Sequence, residues 1–409
     1  MPNPVQRVIV RRVDNLGDIV IALPTLQALR KNYPAAEITL MVKDVHRTLC
    51  REVADSFLSP TSSEEFAEIA RAYDLAFNIE YFGPGNRMKQ MFRRDGGVNQ
   101  VNAVPGPRRR PMARHLLDGL AVLGLAVPRS AEPKFRISPE LRKQVTAWLR
   151  SSEVSGHRTP WVGIHLGSSA REKRWPTEKF MALSAWLHRS FDAHLFFFGT
   201  STEASSISAI RNSFPTGCAV AIVDRPLDFV AGVLARMDLL IGNDSGVGHL
   251  ASAVGTPTVS IFGPTAPALW RPAGAQAVVV HKDRRGNVHA RGPSLSVEQV
   301  KQGVLLCIQQ HLRRERFPVL DSLRVSRGLS FTRVADGVIV RSKKRGPACM
   351  VTDGWRRVKQ ILAFVEEHGS YRETLEHFTD ATPLLGLFIL HGIILQGSTS
   401  KKNSKELKI

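Results

Sequence analysis

Short apolar runs bounded by glycine, aspartate and asparagine alternate with amphipathic stretches over most of the chain. Arg7-Val8-Ile9-Val10-Arg11-Arg12-Val13 reads as a first strand and Asp14-Asn15-Leu16-Gly17-Asp18 as a turn. Ile19, Leu23, Leu26 and Leu29 then fall at helical spacing. Pro24 lies inside that run, so the helix either kinks there or restarts. Further strands are expected at 36–42 and 73–79, and strands alternating with helices predict a parallel sheet of Rossmann type. Between 81 and 114 glycine, proline and arginine dominate, and that composition predicts a long loop. Helices at 114–125 and 140–149 and a polar linker at 151–160 close this half.

The pattern restarts at Trp161-Val162-Gly163-Ile164-His165-Leu166-Gly167, a strand running into a glycine-serine turn. A helix at 180–191, strands at 193–198 and 219–223 and a helix at 227–236 lead to Leu239-Leu240-Ile241-Gly242, a short buried strand. Asn243-Asp244-Ser245-Gly246 is turn and N-cap chemistry, and the run from Val247 is compatible with a helix. A strand, a tight polar turn and a helix start aim unpaired backbone N–H groups into one space, which attracts phosphate or pyrophosphate. An ordinary strand-to-helix turn carries the same signature. A strand at 257–264 follows as in a βαβ unit, and a helical run at 296–313 ends the pattern. The fold class is therefore α/β: two Rossmann-like domains of similar size, 1–155 and 156–316, facing across a cleft with ligand at the carboxyl ends of the strands. Residues 317–409 form a C-terminal extension that does not continue the pattern. It holds a helix candidate at 352–367 and an apolar segment at 384–395, short of the roughly 20 residues that span a bilayer. Either a terminal helix packed on the body or an interfacial membrane contact accounts for it.

Charge changes the picture of partners. The 409 residues carry a net charge of +20, which points to a polyanionic partner such as nucleic acid, an anionic membrane surface or a phosphorylated glycolipid. Basic clusters stand at Arg93-Arg94, Arg108-Arg109-Arg110, Arg284-Arg285 and Arg313-Arg314. No RNA-recognition aromatic motif, zinc finger or helix-turn-helix signal accompanies them, so no nucleic acid is expected. The four cysteines lie far apart with no C-x-x-C pair, which suggests neither a disulfide framework nor a zinc site and fits a reducing compartment. Arg11-Arg12 interrupts the apolar triplet Val8-Ile9-Val10, so no secretory signal is read, and a cytoplasmic protein is expected.

Three stretches in order resemble the heptosyltransferases, glycosyltransferase family nine. They are Asn15-Leu16-Gly17-Asp18-Ile19-Val20; His165-Leu166-Gly167-Ser168-Ser169 with Lys173-Arg174-Trp175-Pro176; and Asn243-Asp244-Ser245-Gly246-Val247-Gly248-His249, continuing to Phe262-Gly263-Pro264-Thr265. The resemblance covers about residues 5–315. It implies the GT-B architecture and a cytoplasmic inverting enzyme, either free or peripheral on the cytoplasmic face of the inner membrane, that moves heptose from ADP-heptose to a lipopolysaccharide core acceptor. Another nucleotide sugar and another surface glycan are the alternative within the same fold.

The resemblance places the family's catalytic aspartate on Asp18, which by spacing alone could equally cap the first helix. As general base it would take the proton from the attacking acceptor hydroxyl. Lys173, on sequence alone an exposed charged residue, aligns with the diphosphate-binding lysine, where a cation stabilises the departing diphosphate. On the donor side the resemblance puts Ser168 and Ser169 at the phosphates and Glu203 at the ribose hydroxyls. It puts Asp244 near the donor sugar, and the backbone of Ser245, Gly246 and Val247 at the diphosphate. His249 is either part of this motif or a structural hydrogen-bonding residue. Gly17 leaves room for close approach of a ligand, and Arg108, Arg109 and Arg110 are placed on the acceptor side. His165 and Trp175 read as packing residues. No D-x-D triplet occurs, so no metal and no cofactor beyond the nucleotide-sugar substrate is expected.

Overall fold

A computed structural model describes residues 5–79, 111–122, 124–152, 159–274, 276–281 and 295–311, and the strands at 89–94, 97–102, 323–325, 329–334, 337–342, 345–351 and 394–396. Its contacts divide the chain into two compact units: residues 1–156, 161–181 and 194–295 in one, residues 157–160, 182–193 and 296–409 in the other.

The first unit begins with β1 (Arg7–Arg11), α1 (Leu16–Asn32), β2 (Glu37–Met41), β3 (Ser56–Leu58), α2 (Ser63–Ala70) and β4 (Leu75–Asn78). These strands form a parallel sheet in the order β3-β2-β1-β4, with Val8 opposite Ile38 on one side and Leu75 on the other. Val8, Ile9 and Val10 are fully buried, as expected of a strand covered on both faces. α1 is continuous through Pro24, so the helix does not restart there. Its run from Ile19 to Leu26 is buried without a break, and this packing outweighs the one ladder hydrogen bond that proline removes. The expected long loop is also corrected. It contains β5 (Lys89–Arg94) and β6 (Gly97–Asn102), paired antiparallel with Lys89 opposite Asn102 and Arg94 opposite Gly97. Asp95-Gly96 between them is a favoured hairpin dipeptide, a local signal that the glycine-arginine composition hides. Helices α3 (Met112–Val122) and α4 (Pro139–Ser151) follow.

The second sheet is built from β7 (Trp161–His165), α5 (Thr177–Phe191), β8 (His194–Gly199), α6 (Ala204–Arg211), β9 (Ala219–Val223), α7 (Leu227–Leu234), β10 (Leu239–Asn243), α8 (Gly246–Ala253), β11 (Thr258–Ile261), α9 (Pro267–Trp270) and β12 (Ala277–Val280). All six strands are parallel, in the order β12-β11-β10-β7-β8-β9. Among the described residues this sheet has six strands and the first has four. Chain order reverses between β7 and β10, the topological switch point of a doubly wound sheet, and ligands bind beyond the carboxyl ends of such a strand pair. In the first sheet the corresponding pair is β1 and β4.

The second unit contains α10 (Val297–His311), β13 (Leu323–Val325), β14 (Leu329–Val334), β15 (Gly337–Ser342), β16 (Arg345–Val351) and β17 (Ile394–Gln396). β14, β15 and β16 form an antiparallel sheet and β17 pairs with β13, so the extension carries strands that its sequence did not announce. The helix candidate at 352–367 lies outside the described residues, as do Arg108, Arg109 and Arg110.

Candidate active site

The loops after β7 and β10 meet at the switch point, and Asn243 ties them together. Its side chain donates to the Leu166 carbonyl at 2.6 Å and accepts from the Trp175 backbone N–H at 2.9 Å. Trp175, buried as expected, also donates its indole N–H to the Leu295 carbonyl. Asn243 stood in the quoted motif without a role, because its two partners are adjacent only once β7 lies beside β10.

These ties bring Lys173 against Asp244. The ammonium lies 3.0 Å from the carboxylate, whose side chain is 6% exposed. Ser168 is buried and donates its hydroxyl to the Asp244 backbone carbonyl at 2.8 Å, while Ser169 is exposed. Glu203 is buried next to β8, and its carboxylate accepts from the Thr200 N–H and hydroxyl at 3.1 and 2.8 Å. Arg174 approaches it to 3.7 Å and also donates to the Ser168 carbonyl. His165 is buried and donates from Nδ1 to the Phe198 carbonyl, so it is a packing residue as expected.

Ser245 is the N-cap of α8, yet its buried hydroxyl has no hydrogen-bond partner. The first N–H groups of a helix have no intrahelical acceptor, so this end carries both donors and the positive pole of the helix dipole. His249, one turn in, is buried with Nδ1 unpartnered, and burial pulls its pKa down to about 4, so the ring is neutral at pH 7.

The N-terminus of α1 abuts that of α8. A Cβ added to Gly246 would stand 2.6 Å from the Leu16 Cβ and 2.7 Å from the Gly17 nitrogen, and one added to Gly17 would stand 3.1 Å from the His249 ring. Only glycine lets the two backbones come this close. Two positive helix ends converging on one point favour negative charge between them. We expect Gly246→Ala to lower the melting temperature and to cut transfer more than tenfold. Gly248→Ala, whose new carbon would meet nothing nearer than 3.6 Å, should be close to neutral in both assays.

Asp18 stands at this junction. It does not cap α1 as N-cap, since Asn15 holds that position. Asp18 is the third helical residue and its carboxylate accepts the Asn15 N–H at 3.2 Å, leaving the other oxygen beside Arg12. Burial raises its pKa above the usual carboxylate value, while the charges of Arg12 and Lys173 and the Asn15 hydrogen bond pull it down. Arg12, Arg174 and Asn243 were not singled out from the sequence. For Arg12 the signal was a second arginine directly after a fully apolar strand, read only as the end of the apolar run.

Residues 113–298 match the family model "Glycosyltransferase family 9 (heptosyltransferase)". Residues 113–298 form a glycosyltransferase family 9 domain. It is similar to lipopolysaccharide heptosyltransferase 3 of Escherichia coli, 29% identical over 299 residues that cover 63% of this chain and 83% of that protein. It is also similar to lipooligosaccharide heptosyltransferase 2 of Haemophilus ducreyi, at 24% over 304 residues, covering 65% and 85%. The match to lipopolysaccharide heptosyltransferase 2 of Escherichia coli K12 reaches 138 residues, 40% of that protein, at 27% identity. In fold the chain resembles the solved structure of the Escherichia coli ADP-heptose lipopolysaccharide heptosyltransferase II, with TM-score 0.58 and 19% identity, covering 75% of this chain and 99% of that one. The chain therefore has the GT-B fold. Among the described residues no helix is long and apolar enough to cross a membrane, and no group of three or more histidine, cysteine, aspartate or glutamate side chains could hold a metal ion.

Proposed function

We propose that the enzyme transfers heptose from ADP-heptose to a lipopolysaccharide core acceptor with inversion at the anomeric carbon. The observation that carries this reading is the convergence of Asp18, Lys173 and the α8 N-terminus. Lys173 lies close enough to Asp18 to act on its charge, and the backbones of Gly17 and Gly246 touch. In the proposed step an acceptor hydroxyl attacks the anomeric carbon while Asp18 takes the hydroxyl proton. The bond from the anomeric carbon to the diphosphate oxygen breaks, and ADP leaves with the electron pair. Lys173 and the N–H groups of Ser245, Gly246 and Val247 neutralise the charge that develops on that oxygen. Asp18 suits a base because desolvation raises its pKa above the usual carboxylate value.

Residues 156–316 would bind the donor, with Ser169 and the Ser168 backbone at the phosphates, Glu203 at the ribose hydroxyls, Asp244 at the sugar and His249 bracing the helix. A carboxylate suits vicinal hydroxyls because each of its oxygens can accept from one of them. Residues 1–155 would take the acceptor, with Gly17 lining the reaction centre and Arg108, Arg109 and Arg110 meeting its anionic groups. The net charge of +20 fits an acidic glycolipid at the cytoplasmic face of a membrane. The charge of the diphosphate is met here by Lys173 and helix N–H groups, which makes a divalent ion dispensable.

A thermal-shift screen of ADP-, UDP- and GDP-sugars in EDTA tests donor and metal together. We expect ADP-heptose to raise the melting temperature by several degrees in EDTA and to support transfer to a truncated core acceptor. Stabilisation by a UDP- or GDP-sugar alone would assign the fold another donor. Turnover that is lost in EDTA and restored by a divalent ion would overturn the metal-free scheme.

A further inference from the structure

Arg12 lies outside the motifs that carry the family likeness, yet it is fully buried at the switch point of the first sheet, between the loops that leave β1 and β4. Its guanidinium is committed on every side. Nη1 donates to the Ile79 carbonyl and lies 2.8 Å from the Asp14 carboxylate. Nε and Nη2 donate to the Asp18 carbonyl at 3.3 and 3.2 Å, and Nη2 lies 3.4 Å from the Asp18 carboxylate. A planar fork of donors thus grips the main chain and the side chain of one aspartate at once, which a lysine could not reproduce. An arginine buried this deeply is costly unless its charge is used, and a hydrophobic residue would fill the same space more cheaply.

We propose that Arg12 is the positioning residue of Asp18: it fixes the direction of the carboxylate and keeps it ionised. The inference rests on the reading of Asp18 as general base. The charged and titratable groups facing Asp18 are Arg12 and Asp14 from the connection between β1 and α1, Lys173 from the loop after β7, and His249 of α8, whose ring lies beside Gly17. Burial raises the pKa of Asp18 and the Asp14 charge raises it further, against the lowering by Arg12 and Lys173. Removing Arg12 therefore lets the carboxyl keep its proton to higher pH, and removing the Asp14 charge makes it lose the proton at lower pH. The two substitutions act with opposite sign, which loosened packing alone does not produce.

The test uses the full-length enzyme with ¹³C-labelled aspartate, the Asp18 carboxyl signal being assigned by its absence in Asp18→Asn. We expect Arg12→Met to move the midpoint of its titration up by about one pH unit and Asp14→Asn to move it down, with Arg12→Lys between the parent and Arg12→Met. The acid limb of kcat/KM, measured with ADP-heptose and a truncated core acceptor, should shift in the same directions. Should Arg12→Met fail to fold, the downward shift in Asp14→Asn carries the test. A carboxyl titration unmoved by either substitution overturns the proposal. A titration that moves while the acid limb stays put supports the Arg12–Asp18 coupling and overturns instead the assignment of Asp18 as base.

Discussion

Asp18→Asn should lower transfer about a thousandfold while the protein keeps its fold and its affinity for the donor. The amide has the shape of the carboxylate and can still accept the Asn15 N–H through its oxygen, so the start of α1 keeps its hydrogen bond. Arg12 retains Asp14 at 2.8 Å and its two carbonyl partners, so no buried cation is stranded. What disappears is the basic lone pair. An acceptor hydroxyl has to shed its proton as it attacks, and the neighbouring carboxylates are held closer by cations, Asp14 at 2.8 Å by Arg12 and Asp244 at 3.0 Å by Lys173, against 3.4 Å between Arg12 and Asp18. The deficit should not be recovered by raising the pH, because an amide acquires no base there. Three measurements separate the possibilities: kcat at saturating donor, the donor-induced thermal shift and the melting temperature of the free enzyme. A fall in kcat with the other two unchanged is the expected result. Undiminished turnover removes Asp18 from the chemistry.

Much of this arrangement was legible in the chain, for identifiable reasons. Fully buried parallel strands are short apolar runs closed by turn residues. β9 could therefore be read at its observed limits of Ala219 and Val223, and β10 from Leu239 onwards. The order of the strands followed from the fold class, since right-handed crossovers in a doubled βα pattern leave little choice. That order also implied that the loop containing Lys173 and the loop containing Asp244 would meet. The direct ion pair between them was not legible, because each residue had been matched to a different part of the donor. Asn243 and Arg12 were missed for a related reason. The partners of Asn243, and the Ile79 carbonyl that anchors Arg12, lie on segments about 70 residues away, and no pattern in a single strand encodes them. The paired strands at 89–94 and 97–102 were missed by weighing composition over a window instead of the Asp95-Gly96 dipeptide in the sequence. At Pro24 a local rule lost to tertiary burial, as rules of intrinsic propensity often do.

The second large effect is expected at Lys173, where stability and chemistry must be separated. Lys173→Met removes the cation that lies 3.0 Å from Asp244 and leaves a carboxylate with 6% exposure among buried neighbours. An unpaired buried charge destabilises a protein by about 3–5 kcal/mol, so the single variant should melt several degrees lower whatever its role in transfer. On the proposed mechanism the same substitution also removes a cation beside the leaving diphosphate, and losing one such contact costs about a hundred- to a thousandfold in rate. A loss of activity in Lys173→Met alone therefore decides nothing. The double variant Lys173→Met/Asp244→Asn does decide it. With the carboxylate gone there is no stranded charge, and the melting temperature should return close to that of Asp244→Asn. If Lys173 stabilises the departing diphosphate, transfer by the double variant stays about a hundredfold or more below that of Asp244→Asn. If Lys173 serves only to neutralise Asp244, the two rates coincide. The arrangement favours the first outcome. Asp244 is already well held through its backbone, its carbonyl accepting from Ser168 and its N–H donating to the Ile261 carbonyl. Lys173, by contrast, sits on a short turn with a quarter of its side chain open to solvent.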